Sequence, residues 1–167
     1  MAVTTLNMSV FKAVHYKNST QLWLGMGGPA SWDNESVPPV PPQNTISIIS
    51  PKFFVRANYV SLVADGGHDV VVRGHSYQFV SDDEAYLKSA RFIYARFVFS
   101  IPTDFGAIQI RQIGVYANII PYPQYSTLTL LIPSQISNSG ELHTIENRSP
   151  VELLPQNEQI VHVVLEV

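Results

Sequence analysis

Apolar residues recur at every second position along most of the chain, and β-branched and aromatic side chains fill the runs they form, which is the pattern of strands. In Arg91–Ile101, one face takes Arg91, Ile93, Ala95, Phe97, Phe99 and Ile101, and the other takes Phe92, Tyr94, Arg96, Val98 and Ser100. Both faces are mostly apolar, as expected of a strand covered on both sides. Ala107–Asn118 and Ser126–Ile132 read as further strands, Gly114 marking a bulge or a close approach in the first. Gln159–Val167 alternates in the same way. Shorter strands are expected over Val10–His15, Gln21–Leu24, Thr45–Ser50, Tyr59–Ala64, Asp69–Val72, Tyr77–Val80 and Glu141–Glu146. Turn residues separate them: Asp65-Gly66-Gly67, Arg73-Gly74, Pro121-Tyr122-Pro123 and Asn138-Ser139-Gly140. Helix is expected only as a turn or two at Asp82–Leu87. Many short strands at this spacing predict an all-β fold, an antiparallel β-sandwich of Greek-key-like type or a partly open barrel.

One stretch breaks the pattern. Gly25–Pro42 holds Gly25, Gly27, Gly28, Pro29, Trp32, Pro38, Pro39, Pro41 and Pro42 and has no regular period. So long an irregular loop is unusual in a compact domain unless it is functional or bound to a partner. Its prolines fix φ and favour an extended path at the residues before them, so the loop is stiff. Trp32 is placed to pin it, either to the body of the protein or to another chain.

Composition narrows the picture. A chain of 167 residues is long enough for one domain spanning 1–167 with a core of its own. Ten Lys+Arg against thirteen Asp+Glu, a net charge of −3, leaves no basic stripe for nucleic acid. Only 14% of residues are charged, so the surface is rich in uncharged groups, as in proteins that work against partners. No cysteine is present, which removes disulfides, thiolate metal sites and cysteine nucleophiles. No run reaches the roughly 18–20 apolar residues of a membrane helix. Met1–Met8 lacks the pattern of a secretory leader, so synthesis and assembly in the cytoplasm are expected.

The candidate chemistry is sparse. Gly25-Met26-Gly27-Gly28-Pro29-Ala30 fits a glycine fingerprint formally, but proline-rich chain follows where a dinucleotide site needs a helix N-terminus. Five histidines fall in no strong ligand motif; Asp65, His68, Asp69 and His75 could meet across a hairpin, and His162 reads as an edge or half-buried histidine. Arg91, Arg96 and Arg111 sit singly in apolar strands, suited either to pairing with acids or to anchoring an interface. No cofactor, metal or catalytic residue is expected.

Two blocks carry a resemblance. Leu22–Pro42, with Gly25, Gly27, Pro29, Trp32, Pro38, Pro39 and Pro41, resembles the glycine-x-glycine strand end and proline loop of the dimeric baseplate wedge subunit of contractile-tailed, T-even-like bacteriophages. Ser139–Val167, with Gly140, Glu141, Glu146, Asn147, Arg148 and Pro150, resembles that family's C-terminal segment, and Ala107–Ile120, with Arg111, Gln112 and Ile113, is a looser match. Larger members carry an inserted second β-domain; this chain is too short for it and resembles the core sandwich alone, with a short connection around Arg73–Glu84. The resemblance implies a non-enzymatic virion protein whose partners are other wedge and tail proteins, a homodimer among the contacts, with no nucleic acid or membrane. On the residues themselves, Glu146–Pro150 reads as a corner between two strands, with Glu146 and Arg148 placed to pair with each other or to bind a neighbouring chain. The rival readings are a decoration or fibre-attachment protein, a carbohydrate-binding module stacking sugars on Trp23, Trp32 or tyrosines, and a small metal-dependent enzyme at His68 and His75.

Overall fold

The computed structural model describes residues 1–167. In chain order the elements are α1 (Leu6–Ser19), β1 (Leu22–Gly27), β2 (Pro51–Arg56), β3 (Tyr59–Val72), β4 (His75–Val80), β5 (Phe92–Phe99), β6 (Ile108–Ala117), β7 (Ile120–Pro121), β8 (Leu130–Leu131), β9 (Ile136–Asn138), β10 (Glu141–Leu153) and β11 (Gln159–Glu166). They form open sheets ordered β10-β6-β1-β2-β8, β11-β5-β3-β4 and β7-β9. The fold is all-β with antiparallel sheets, the construction expected of a sandwich.

The chain folds as two compact units: residues 1–20, 58–96 and 161–167 in one, 21–57 and 97–160 in the other. In the first, α1 packs on β3, and Lys17 Nζ and Asn18 Nδ2 reach Asp82 at 2.7 and 2.9 Å. The Lys17 hydrogen bond, seconded by Asn18, holds the Asp82 carboxyl below its ordinary pKa. An aromatic cluster of Tyr59, Phe79 and Tyr94, with rings 5.3–6.1 Å apart and edge-on, covers one face of the sheet. In the second unit, buried Trp23, Ile48, Phe54, Tyr116, Ile119 and Leu131 form the core beneath residues 28–50.

Several expectations change. Val10–His15 is not a strand but the middle of α1, because Val10 and Ala13, three apart, are the buried positions and Thr5 caps the helix by accepting the Met8 N–H. Tyr59–Ala64 and Asp69–Val72 are one strand: Asp65-Gly66-Gly67 is a bulge, with Asp65 and Val70 both opposite Tyr77, and positive φ at Gly66 and Gly67. The reversal falls at Arg73-Gly74, both at positive φ as a tight hairpin needs. Of Ser126–Ile132 only Leu130–Leu131 pairs. Thr45–Ser50 is irregular: the Ile48 and Ile49 N–H groups are taken by side chains, and the Thr45 N–H by the Pro42 carbonyl. Gln21–Leu24 extends to Gly27, so the irregular stretch runs over residues 28–50. The strands Arg91–Ile101, Ala107–Asn118 and Gln159–Val167 are present within a residue or two as β5, β6 and β11, and the helical turn near Asp82 is a short 3-10 turn.

Candidate functional site

Residues 28–50 leave the end of β1 and return to the start of β2, and a backbone bond from Gly28 N to Ser50 O, 3.2 Å, closes their base. The segment is therefore a strap, and β6 and β10 hold it down. The Arg111 guanidinium, 12% exposed, is its first clamp. Nε donates to both Glu35 carboxylate oxygens at 3.1 and 3.2 Å and Nη2 lies 2.9 Å from Oε1. The remaining arginine donors reach the Pro29 carbonyl, Ser31 Oγ and Gln109 Oε1 at 3.4, 3.2 and 3.1 Å. The Arg111 hydrogen bond is the main reason the Glu35 pKa lies below its ordinary value.

The second clamp is a relay of amides. Gln112, 3% exposed, accepts the Ile49 N–H on Oε1 at 2.5 Å and donates from Nε2 to Asn147 Oδ1 at 2.7 Å. Asn147 Nδ2 then donates to the Pro39 carbonyl at 2.8 Å. Beside it the Ile48 N–H donates to the Tyr116 hydroxyl at 2.9 Å, a phenol whose pKa burial pushes up. Because Ile48 N and Ile49 N are spent on Tyr116 and Gln112, Thr45–Ser50 has no ladder to join.

The third clamp is Trp32. Its indole N–H donates to the Arg148 carbonyl at 2.8 Å. That carbonyl is free because β10 bulges: Asn147 is opposite Gln112 and Val151 opposite Ile110, so Arg148, Ser149 and Pro150 together stand against Arg111 alone. Glu146–Pro150 is thus a bulge inside one continuous strand, not a corner between two. Pro150, with no N–H to give, suits that break. Glu146 and Arg148 lie 3.8 Å apart, a long pair exposed at the surface.

Of the two alternatives at Trp32, the structure takes the first, since the ring is pinned to its own chain. Gly25 is directly opposite Gly114 on β6. A side chain on either glycine would collide with Tyr116, Phe54, Leu142 or Ile48, so the pair makes the room that Ile48 and the Tyr116 ring occupy. Gly27 ends β1 against the Ile49 carbonyl. Gly140 turns the chain from β9 into β10 at φ +63°, hard against the Ala117 backbone. Pro29 is buried, Pro38 and Pro41 are half-buried, and Pro39 is exposed. Pro29, Trp32, Pro38, Pro39 and Pro41 lie in the strap, Gly25 and Gly27 on the strand that leads into it, and Glu146, Asn147, Arg148 and Pro150 on β10 beside it, while Gly140 and Glu141 lie at the far end of β10. Glu35, Ile48 and Tyr116 were not singled out: an acid among small polar residues and two members of apolar runs carry no signal until β6 is laid beside the strap.

His75 Nε2 lies 2.7 Å from Asp65, and no group of three or more His, Asp or Glu that could hold a metal occurs. His162, on the edge strand β11, is exposed and bonded to the Tyr94 hydroxyl at 2.7 Å. Trp23 is wholly buried beneath the Arg56 guanidinium, 4.6 Å from its ring, and offers no free sugar-stacking face. No helix is long and apolar enough to cross a membrane.

The fold is thus a β-sheet body in which Arg111, Gln112, Tyr116 and Asn147 brace one long surface segment. The whole chain, residues 1–167, matches the model of the family described as baseplate wedge 3 tail fiber network component, and the protein belongs to that family. It is a structural component of a phage baseplate, located in the virion tail, and the family description implies contact with other wedge and tail-fibre proteins. No curated protein matches the chain.

Proposed function

We propose that the chain is a non-enzymatic wedge subunit of a contractile-tail baseplate, joined to the assembly in the host cytoplasm, and that the strap over residues 28–50 is its principal docking surface. Gly25, Gly27, Pro29, Trp32, Glu146, Asn147, Arg148 and Pro150 serve this surface by holding it in shape, and Pro38, Pro39 and Pro41 form part of it. The observation that carries the reading is the contrast along the strap. Its polar atoms are bonded inward by Arg111, Gln112 and Asn147, while Val37, Val40 and Ile46 stand exposed. Exposed apolar groups on a braced segment lose little conformational entropy on binding. Homodimers, through this surface or a sheet edge, are part of the proposal, and nucleic acid and membrane are not partners.

The test is complementation of a phage lacking this gene. Wild-type chain restores baseplates visible by cryo-imaging, and a chain with residues 36–46 replaced by a Gly/Ser linker is expected to fold yet fail to enter them. Full assembly with the replaced strap would remove the docking role.

A further inference from the structure

The six residues Val37-Pro38-Pro39-Val40-Pro41-Pro42 show a period of three in their exposure. Val37 and Val40 are exposed at 68% and 91%, Pro39 and Pro42 are exposed as well, and Pro38 and Pro41 are the half-buried pair. A strand would repeat every two residues and a helix every 3.6. Three is the repeat of the polyproline II helix, which four prolines in six residues also favour. One pair, Pro38/Pro41, rests on the protein; the other two, Val37/Val40 and Pro39/Pro42, are exposed.

The segment cannot be extended by strand addition, because between residues 38 and 42 only Val40 has a backbone N–H. What it offers a partner is two apolar ridges and the carbonyls that Asn147 and Thr45 leave unspent. Such ligands are taken by shallow grooves lined with aromatic rings, whose flat faces fit between the ridges and whose indole or phenol hydrogens meet the carbonyls. Both ends are held: the Val37 N–H by the Asn34 carbonyl at 3.1 Å, the Pro42 carbonyl by the Thr45 N–H and hydroxyl at 3.1 and 2.7 Å. Asn147 grips the middle at Pro39. Beside the ridges lies a hollow of about 440 Å³ lined by Ser31, Trp32, Asp33, Asn34, Val37 and Pro39, room for one side chain of the partner's rim.

We propose that residues 37–42 are a preformed polyproline ligand, docked into an aromatic-lined groove on another protein of the baseplate. The inference rests on the strap being a docking surface and adds the mode of recognition and the chemistry of the partner. The test places a photo-reactive phenylalanine at position 40, and in a parallel chain at exposed Val71 in the other compact unit, in complemented phage. Baseplates are irradiated and the adducts mapped by mass spectrometry. The expected adduct from position 40 falls on another baseplate protein within a cluster of Trp, Tyr or Phe, and none forms at that cluster from position 71. Val37→Asp/Val40→Asp is expected to lower incorporation at least tenfold, while Val37→Ile/Val40→Ile retains it, both with unchanged circular dichroism. Adducts on a strand edge or on residues without aromatic neighbours overturn the mode, as does full incorporation of the double-Asp chain. Loss of the Gly/Ser-linker chain from baseplates together with either result keeps the docking surface and discards only the polyproline mode; normal assembly of the linker chain discards both.

Discussion

Gln112 shows how much one side chain can decide. It is an amide in an apolar strand, buried, and both its ends are used: one receives the Ile49 N–H of the strap, the other hands a hydrogen to Asn147. Truncation strands the Ile49 N–H and the Asn147 amide oxygen at once, both in part-buried hydrogen bonds, where an unmet group costs up to about 1–3 kcal/mol. Gln112→Ala is therefore expected to lower the unfolding free energy by about 2–4 kcal/mol in urea titration, and to free the strap to proteolysis between residues 37 and 50. Glu35 makes the complementary case for charge. Its pKa is lowered in the fold, so the stabilisation is complete above the ordinary glutamate range near 4.3 and is lost as pH falls through the lowered value. The Trp32 indole N–H resonance, bonded to Arg148 in the same strap, is expected to shift in that acid window and to stay flat in Glu35→Gln. The residue types at these positions are plain in the sequence, and Trp32, Asn147 and Arg148 drew notice there. Their jobs are not legible there, because the partners lie 35 to 116 positions away along the chain.

Among the elements, legibility followed how an element is stabilised. β5, β6 and β11 are long and their alternation is strong, so period alone locates them. α1 was missed because its Val, Phe and Tyr residues suit a strand as well as a helix, and only two positions, Val10 and Ala13, are buried. Its start depends on a cap: Thr5→Ala is expected to cost about 0.5–2 kcal/mol and to reduce helical ellipticity. Thr45–Ser50 failed in the opposite direction, an apolar period diverted when Tyr116 and Gln112 took its donors. The bulge at Arg148–Pro150 could be suspected from the proline, but its place opposite Arg111 is a matter of register. Gly114 was flagged correctly as a close approach. Gly114→Val is expected to force the Tyr116 ring and Ile48 apart, costing about 1–3 kcal/mol by overpacking, measurable as a lowered melting temperature with the Ile48 amide losing exchange protection.

Across the whole molecule the chain passes between the two compact units four times, after Thr20, Ala57, Arg96 and Ile160. Neither unit is a contiguous piece of sequence. Removing residues 161–167 takes away buried Leu165 and the His162 bond to Tyr94, and is expected to expose the Tyr59–Phe79–Tyr94 cluster, read as dye binding and a lost near-ultraviolet signal. By itself the sequence determined the all-β class, the main strands, the absence of thiol chemistry and of a basic surface, and the existence of one stiff proline loop. Those follow from local period, composition and the fixed φ of proline, which act within a few residues. Only the tertiary structure decided that the loop is a strap, which of its faces is bonded down by Arg111, Gln112 and Asn147, and which valines are left outward. Hydrogen-bond partners and strand register are set by residues far apart in the chain, and no local pattern encodes them.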